Sequence, residues 1–460
     1  MSAAPLVNDR REILGWSMYD WANSAFSTTV GTVFLGPYVA NLAREAAAAA
    51  GTDTVPFFGL PVAPDSFLPY CISFSVFMQV VFLPILGAIA DYSHLRKRMM
   101  QVFALIGALA TTAMFFITGE TWWLGGVLYI IANLCFGAAI VFYNAYLPDI
   151  ASEEQRDRTS SFGWAMGYLG GGLLLLVNLI FYSMRETLGV PTGLAIRINL
   201  ASAGLWWLGW SVWTWNTLRS RHAARALPAG ESYLSIGFKQ LAQTFREAHK
   251  YPHTLRYLLA YLIYNDGIQT VIAVASIFAA APLVQGGLEI EQGTLIQIIL
   301  MIQFVGFFGA LFWGRLAGWI GAKNALLVSL AIWSAVVIYA YLGLQGDSRV
   351  TQFWILGACI ALVLGGSQAI SRSLFAQMIP PGKEAEFFSI YEISERGTSW
   401  IGPLLFGLVN QWLGSLRPAI LALIFFFVVG SLLLAFLVDV PRAIAESGRR
   451  EAAAAAAGAD

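Results

Sequence analysis

The stretch "LIYNDGIQTVI", residues 262–272, decides how this chain is read. In water, Asn265-Asp266-Gly267 is a turn signal, because Asn and Asp side chains bond to their own backbone and Gly accepts a left-handed conformation. Here it stands inside an apolar run over about 255–281, longer than the ~20 residues a helix needs to cross a bilayer. The chain is 58% hydrophobic and 12% charged, whereas soluble domains carry about 25% charged residues. A soluble domain of 460 residues would need a charged surface that this composition does not supply. The expected class is an all-α polytopic membrane protein.

The 27 basic and 27 acidic residues cancel, so global charge points to no nucleic acid and no other charged partner. Cys71, Cys135 and Cys359 each lie in an apolar run and read as small buried hydrophobes rather than as a disulfide framework or metal site. The start, "MSAAPLVNDRREILGW", is polar and basic, without the apolar core or cleavage site of a secretory signal. It reads as a cytoplasmic N-terminus before an uncleaved first helix.

Hydropathy predicts twelve transmembrane helices. The first six lie near 17–43, 67–90, 99–118, 122–147, 159–184 and 197–217; the second six lie near 255–281, 294–317, 324–344, 352–379, 387–411 and 418–439. With the N-terminus inside, 21 basic residues fall in cytoplasmic segments. Only Arg44, Arg185, Arg197, Arg349 and Arg417 fall outside, and Arg372 completes the 27. That bias predicts both termini on the cytoplasmic side of an inner or plasma membrane. The expected organisation is a bundle over 1–218, a cytoplasmic linker over 219–253, a second bundle over 254–440 and a low-complexity tail over 441–460. Within the linker, "SYLSIGFKQLAQTFREAHK" spaces Leu234, Phe238, Leu241 and Phe245 as an amphipathic helix on the membrane surface.

The halves repeat. "GAIADYSHLRKR" (Gly87–Arg98) follows the second span, and "GRLAGWIGAKNA" (Gly314–Ala325) follows the eighth. Spans four and ten each end at a proline, and spans five and eleven carry "GWAMGYLGGG" and "SWIGPLLFG". Three correspondences in one order predict two pseudo-symmetric six-helix bundles.

"GAIADYSHLRKR" resembles the loop motif of the major facilitator superfamily, with Leu95 where a second Gly often sits. Span five is similar to that superfamily's glycine-rich antiporter motif, with Tyr168 at the usual Pro position. As a set, "YDWANSAF" (Tyr19–Phe26), "YNDGIQT" (Tyr264–Thr270), "GGSQAISRSLFAQMIP" (Gly365–Pro380) and "EAEFFSIYE" (Glu384–Glu392) resemble the autophagy-related vacuolar amino-acid effluxers and their bacterial relatives. The resemblance implies the major facilitator fold, with spans one, four, seven and ten around a central cavity, and efflux of amino acids or other small solutes.

Ionisable residues at membrane depth cost about 2.5–3.5 kcal/mol each on insertion scales, so they face a cavity or a partner. Here they are Asp20, Asp266, Arg372, Glu392, Glu395 and Arg396. Asp20 shares a stripe with Asn23, Ser24, Ser27 and Thr28; Asn265 and Gln269 flank Asp266; Gln368 stands four residues before Arg372; span four supplies Asn144. Asn265-Asp266-Gly267 and Gly365-Gly366 are expected to open their helices locally and expose backbone groups to a solute. A small zwitterion then fits, with its carboxylate on Arg372 and its ammonium on Asp266 or Asp20. Two other roles stay open: Asp266 and Arg372 pair with each other as a gate, or a carboxylate carries a coupling proton.

Asp91, Arg96 and Arg98, with Glu392, Glu395 and Arg396, are expected to form an inner latch, Asp91 capping the N-terminus of span eleven. An enzyme is excluded by the lack of a His-Glu-x-x-His or Gly-x-x-x-x-Gly-Lys-Ser/Thr motif; His94, His222, His249 and His253 all fall in cytoplasmic segments. No cofactor or metal is expected. The reading is a monomeric secondary transporter whose partners are a small solute, the lipid bilayer and a coupling proton. A channel or a receptor built on a transporter fold is the alternative.

Overall fold

The computed structural model describes residues 8–92, 95–144, 146–151, 156–219, 230–379 apart from 234, 237–238, 240–241, 243–245 and 247–248, then 387, 391 and 399–448. The predicted surface helix of the linker and the low-complexity tail lie mostly outside these residues. Glu392, Glu395 and Arg396 lie wholly outside them, and the side chain of Asp91 does too.

The chain folds into two compact units. Unit 1 holds residues 1–238, 273–281 and 289–300; unit 2 holds 239–272, 282–288 and 301–460. In unit 1, α1 (Arg10–Ala25) runs through a π-helical segment (Phe26–Phe34) into α2 (Leu35–Ala49). A short antiparallel hairpin, β1 (Val55–Phe57) with β2 (Leu60–Val62), pairs Val55 with Val62. Then come α3 (Pro64–Tyr92), α4 (Arg96–Ala113), α5 (Leu124–Asn144), the short α6 (Leu147–Ile150), α7 (Arg156–Ser183) and α8 (Thr192–Thr217). α1 packs on α7 and α8, and α5 on α3 and α4.

α9 (Pro252–Ala280) and α10 (Gln292–Ile320) contribute to both units. Unit 2 continues with α11 (Ala322–Leu342), α12 (Arg349–Met378), α13 (Ile401–Leu413), α14 (Leu416–Ala422), α15 (Ile424–Leu437) and α16 (Val440–Glu446). α11 packs against α12, α14 and α15. Seven of the described helical stretches are long and apolar enough to cross a bilayer. Phe116, Phe308, Trp319 and Phe436 are each more than 60% exposed, which suits lipid and not water. Cys359 is also exposed, against expectation; an apolar bilayer accommodates a thiol on a helix surface. Cys71 and Cys135 are buried, and all three thiols are free.

The expected helix breaks are not there. α9 is helical through Asn265-Asp266-Gly267, and α12 through Gly365-Gly366. Away from water a broken turn would strand backbone groups, so the helix closes its own hydrogen bonds. The glycines serve close packing. A Cβ on Gly267 would lie 2.8 Å from Phe426 Cβ, and one on Gly366 2.2 Å from Trp313 Cδ1. The irregularity sits in span one, where Phe26–Phe34 is π-helical and Thr32 Oγ1 donates to the Ser27 carbonyl at 3.0 Å. π-helical turns recur at functional sites.

The glycine run of α7 matches α1 in register. Cβ atoms on Gly163, Gly167 and Gly171 would lie 2.7 Å from Asp20 Oδ2, 2.7 Å from Ser24 Oγ and 2.8 Å from Thr28 Oγ1. Gly170 is tighter, 2.3 Å from the Trp21 carbonyl oxygen and 2.8 Å from its Cα, whereas Gly172 meets nothing within 4 Å. Backbone cannot swing aside. Gly170→Ala is therefore expected to destabilise the protein by about 1–3 kcal/mol through overpacking, and Gly172→Ala to leave it intact. Thermal unfolding of both in detergent checks this; equal midpoints would show that α1 and α7 separate freely.

Candidate functional site

Of the carboxylates expected at membrane depth, Asp20 in unit 1 and Asp266 in unit 2 fall among the described residues. In unit 1, Asp20 is half-buried on α1, and the Tyr143 hydroxyl of α5 donates to its Oδ2 at 2.7 Å. Tyr143 is itself fixed. Its ring stacks on Trp16 at 4.3 Å between centroids, and its carbonyl accepts from Trp16 Nε1 at 2.9 Å. Among the described residues no cation pairs with Asp20. Ser24 lies one turn on and is half-buried. Asn23 is 3% exposed, and its Nδ2 has no partner among the described residues. The stripe read from spacing is thus divided: Asp20, Ser24 and Thr28 face the α7 glycines, and Asn23 turns inward. Asn144 is half-buried and hydrogen-bonded or otherwise partnered.

In unit 2, Asp266 is 1% exposed. The Gly402 N–H donates to both its carboxylate oxygens, at 3.1 Å each, and Thr270 Oγ1 lies 3.5 Å from Oδ1. Gly402 is the second residue of α13, so Asp266 caps that helix from α9. The approach demands glycine, since a Cβ there would lie 1.9 Å from Thr270 Oγ1. An anion suits a helix N-terminus because the backbone dipoles point their positive ends at it. The Asp91 side chain, the cap expected at the start of span eleven, lies outside the described residues, as does most of that start; within the described part, Ile401–Leu413 takes its cap from Asp266. Asn265 is buried and Gln269 half-buried beside it.

Asp266 and Arg372 form no ion pair in this structure. Arg372 is exposed on α12, without a hydrogen-bond or carboxylate partner among the described residues, one turn beyond the half-buried Gln368. Its neighbour Ser371 is buried in a hydroxyl network: Tyr257 donates to the Ser371 carbonyl at 2.7 Å, and the Tyr264 hydroxyl meets Ser371 Oγ at 2.6 Å. Tyr391 stacks on Tyr261 at 4.3 Å. These tyrosines hold α9 to the α12 turn that carries Arg372.

Of the expected latch residues, Arg96 is 5% exposed, pairs with Asp149 of α6 and lies over the Tyr146 ring, 5.6 Å from its centroid. Arg98 is exposed. Sequence reasoning passed over Asp149, and also a second tie: Arg219, after α8, pairs with Asp9, and its backbone N–H donates to Glu12 at 3.0 Å. Donation from the Arg11 N–H holds the Asp9 carboxyl below its usual range. The role of Tyr143 was missed because it sits 123 residues from Asp20. Thr270, four residues after Asp266, was legible from helical spacing.

Comparison with known proteins places this geometry. The MFS-type transporter YxiO of Bacillus subtilis (strain 168) is 30% identical over 423 residues, spanning 92% of this chain and 93% of that protein. Autophagy-related protein 22-1 of Penicillium rubens is 26% identical over 558 residues, spanning 97% and 92%. Among solved structures, the nucleoside transporter NupG superposes with a TM-score of 0.62 at 14% identity over 92% of this chain and 98% of its own. A D-xylose-proton symporter gives 0.61 at 14% identity over 94% and 98%. These likenesses establish the major facilitator fold. The family is one of transporters and not of enzymes. The model of the family described as "Vacuole effluxer Atg22 like" matches residues 8–448, and the chain belongs to that family.

Proposed function

We propose that this protein is a twelve-helix secondary transporter that exports small polar solutes, neutral amino acids foremost, by alternating access. The observation that carries the reading is Arg372, a guanidinium at membrane depth on an apolar helix, exposed and unpaired among the described residues. Such a charge is costly unless a ligand or water meets it. A carboxylate fits its planar fork, and Gln368 offers an amide one turn away. Asp20, whose one partner among the described residues is the neutral Tyr143 hydroxyl, is the candidate to carry a coupling proton. The description of the family supports efflux. The charge bias supports both termini inside, and no partner subunit is invoked.

The test is flux of labelled neutral, acidic and basic amino acids and short peptides in proteoliposomes, with and without an imposed pH gradient. Saturable neutral amino-acid flux with counterflow is expected, driven by the gradient. Linear flux without counterflow would indicate a channel, and indifference to the gradient would remove the proton.

A further inference from the structure

Unit 2 carries a second polar feature, remote in the chain from Asp266 and Arg372. A cavity of about 370 Å³ opens where the ends of α9, α11, α15 and α16 meet. Its polar lining is His253, Arg256, Lys323, Asp439 and Arg442. The acids there are already engaged. Asp439 pairs with Arg442 at 3.2 Å, and Glu446 stands 3.8 Å from His253 Nε2. His253 Nδ1 accepts from the Asp439 N–H at 3.3 Å. Lys323 donates to the Ala435 and Val438 carbonyls at 2.9 and 2.7 Å, which points its ammonium into the α15 terminus and leaves one proton free. Arg256 is exposed and has no partner among the described residues. The lining keeps a cationic surplus.

The rim on the α15 side is apolar. Phe436 is 80% exposed and Leu437 is exposed beside it. Val428, Leu432 and Phe436, at i, i+4 and i+8, form an exposed stripe along an apolar span that ends at the cavity. A cationic pocket at the end of an apolar stripe has the shape of a phospholipid: phosphodiester at the pocket, acyl chain along the helix. Free phosphate would use the first feature and not the second. We propose that Arg256, Lys323 and Arg442 bind the phosphate of an anionic phospholipid of the leaflet facing the basic loops, with its chain along α15. Basic pockets between membrane helices on the cytoplasmic side recognise such headgroups. This site is independent of the transport reading.

The test is native mass spectrometry of the full chain in detergent, titrated with phosphatidylglycerol. Phosphatidylcholine and inorganic phosphate serve as the other arms. Phosphatidylglycerol is expected to bind in preference to phosphatidylcholine, with millimolar phosphate failing to displace it. Arg256→Gln with Arg442→Gln is expected to weaken binding by about ten- to thirtyfold, near the value of two surface cations. Arg315→Gln with Arg98→Gln, the same charge change at exposed sites off the pocket, is expected to leave binding alone. Should the pocket pair fail to fold, Arg256→Gln by itself, which removes no hydrogen bond or ion pair among the described residues, serves in its place. Equal binding of phosphatidylcholine, displacement by phosphate, or equal loss in the off-pocket pair would each overturn the assignment.

Discussion

Asp266→Ala is expected to lose about 1–3 kcal/mol of stability, the cost of leaving a buried N–H without its acceptor, whereas Asp266→Asn folds normally and does not transport. The cap explains the first outcome. Gly402 N–H sits at 3.1 Å from both carboxylate oxygens and the site is closed to solvent, so nothing replaces the acceptor in the Ala variant. An Asn keeps a carbonyl oxygen in place. It forgoes the attraction of a full charge for the helix N-terminus, about 0.3–2 kcal/mol. It also avoids holding a charge in an apolar site, about 2.5–3.5 kcal/mol on insertion scales. The second magnitude is the larger, so stability alone does not call for a carboxylate at 266. We therefore propose that its charge serves the working cycle rather than the fold. Unfolding in mixed micelles measured beside flux separates the two roles. Equal stability of all three proteins would remove the cap, and full transport by the Asn variant would make Asp266 a structural residue only.

The same residue shows where sequence reading succeeds and where it stops. That Asp266 is buried and special followed from its place in an apolar run, since the bilayer tolerates a charge only where something meets it. What meets it did not follow. Arg372 was the obvious partner on charge, yet the partner is a backbone N–H at Gly402, 136 residues away. Backbone donors leave no trace in residue identity. The only hint was the glycine, and Gly402 was read as part of a repeat rather than as a position where any Cβ would meet Thr270 Oγ1 at 1.9 Å.

The helix breaks failed for a related reason. Asn-Asp-Gly and Gly-Gly carry turn propensities measured where water competes for the backbone, and that competitor is missing in hydrocarbon. The π-helical turn at Phe26–Phe34 had no counterpart in the spacing rules, which assume 3.6 residues per turn. The face set by Asp20 and Ser24 nonetheless carries on to Thr28, opposite Gly171. By contrast, the membrane class and the family were legible at once, being carried by composition and by local motifs.

Arg372→Gln is expected to weaken transport of carboxylate-bearing solutes by at least about thirtyfold, the 2 kcal/mol lower bound for truncating one member of a desolvated charge pair. Stability is not expected to fall with it. Arg372 makes no hydrogen bond or ion pair among the described residues, and the turn that carries it is held by Tyr257 and Tyr264 on Ser371. Removing an unpaired cation from an apolar helix relieves a cost rather than breaking a contact. A loss of flux with an unchanged or raised unfolding midpoint is therefore the signature of a ligand group. Arg372→Lys sharpens the point: it keeps the charge and forfeits the two parallel N–H donors, so an intermediate loss is expected if the carboxylate is held bidentately. Amino-acid amides, which lack the carboxylate, supply the substrate-side counterpart; if wild type carries them at all, their flux is expected to be indifferent to the Gln substitution. A Gln variant that moves neutral amino acids with unchanged apparent affinity would detach Arg372 from the solute. An equal loss for acids and amides would point instead to a group that controls opening.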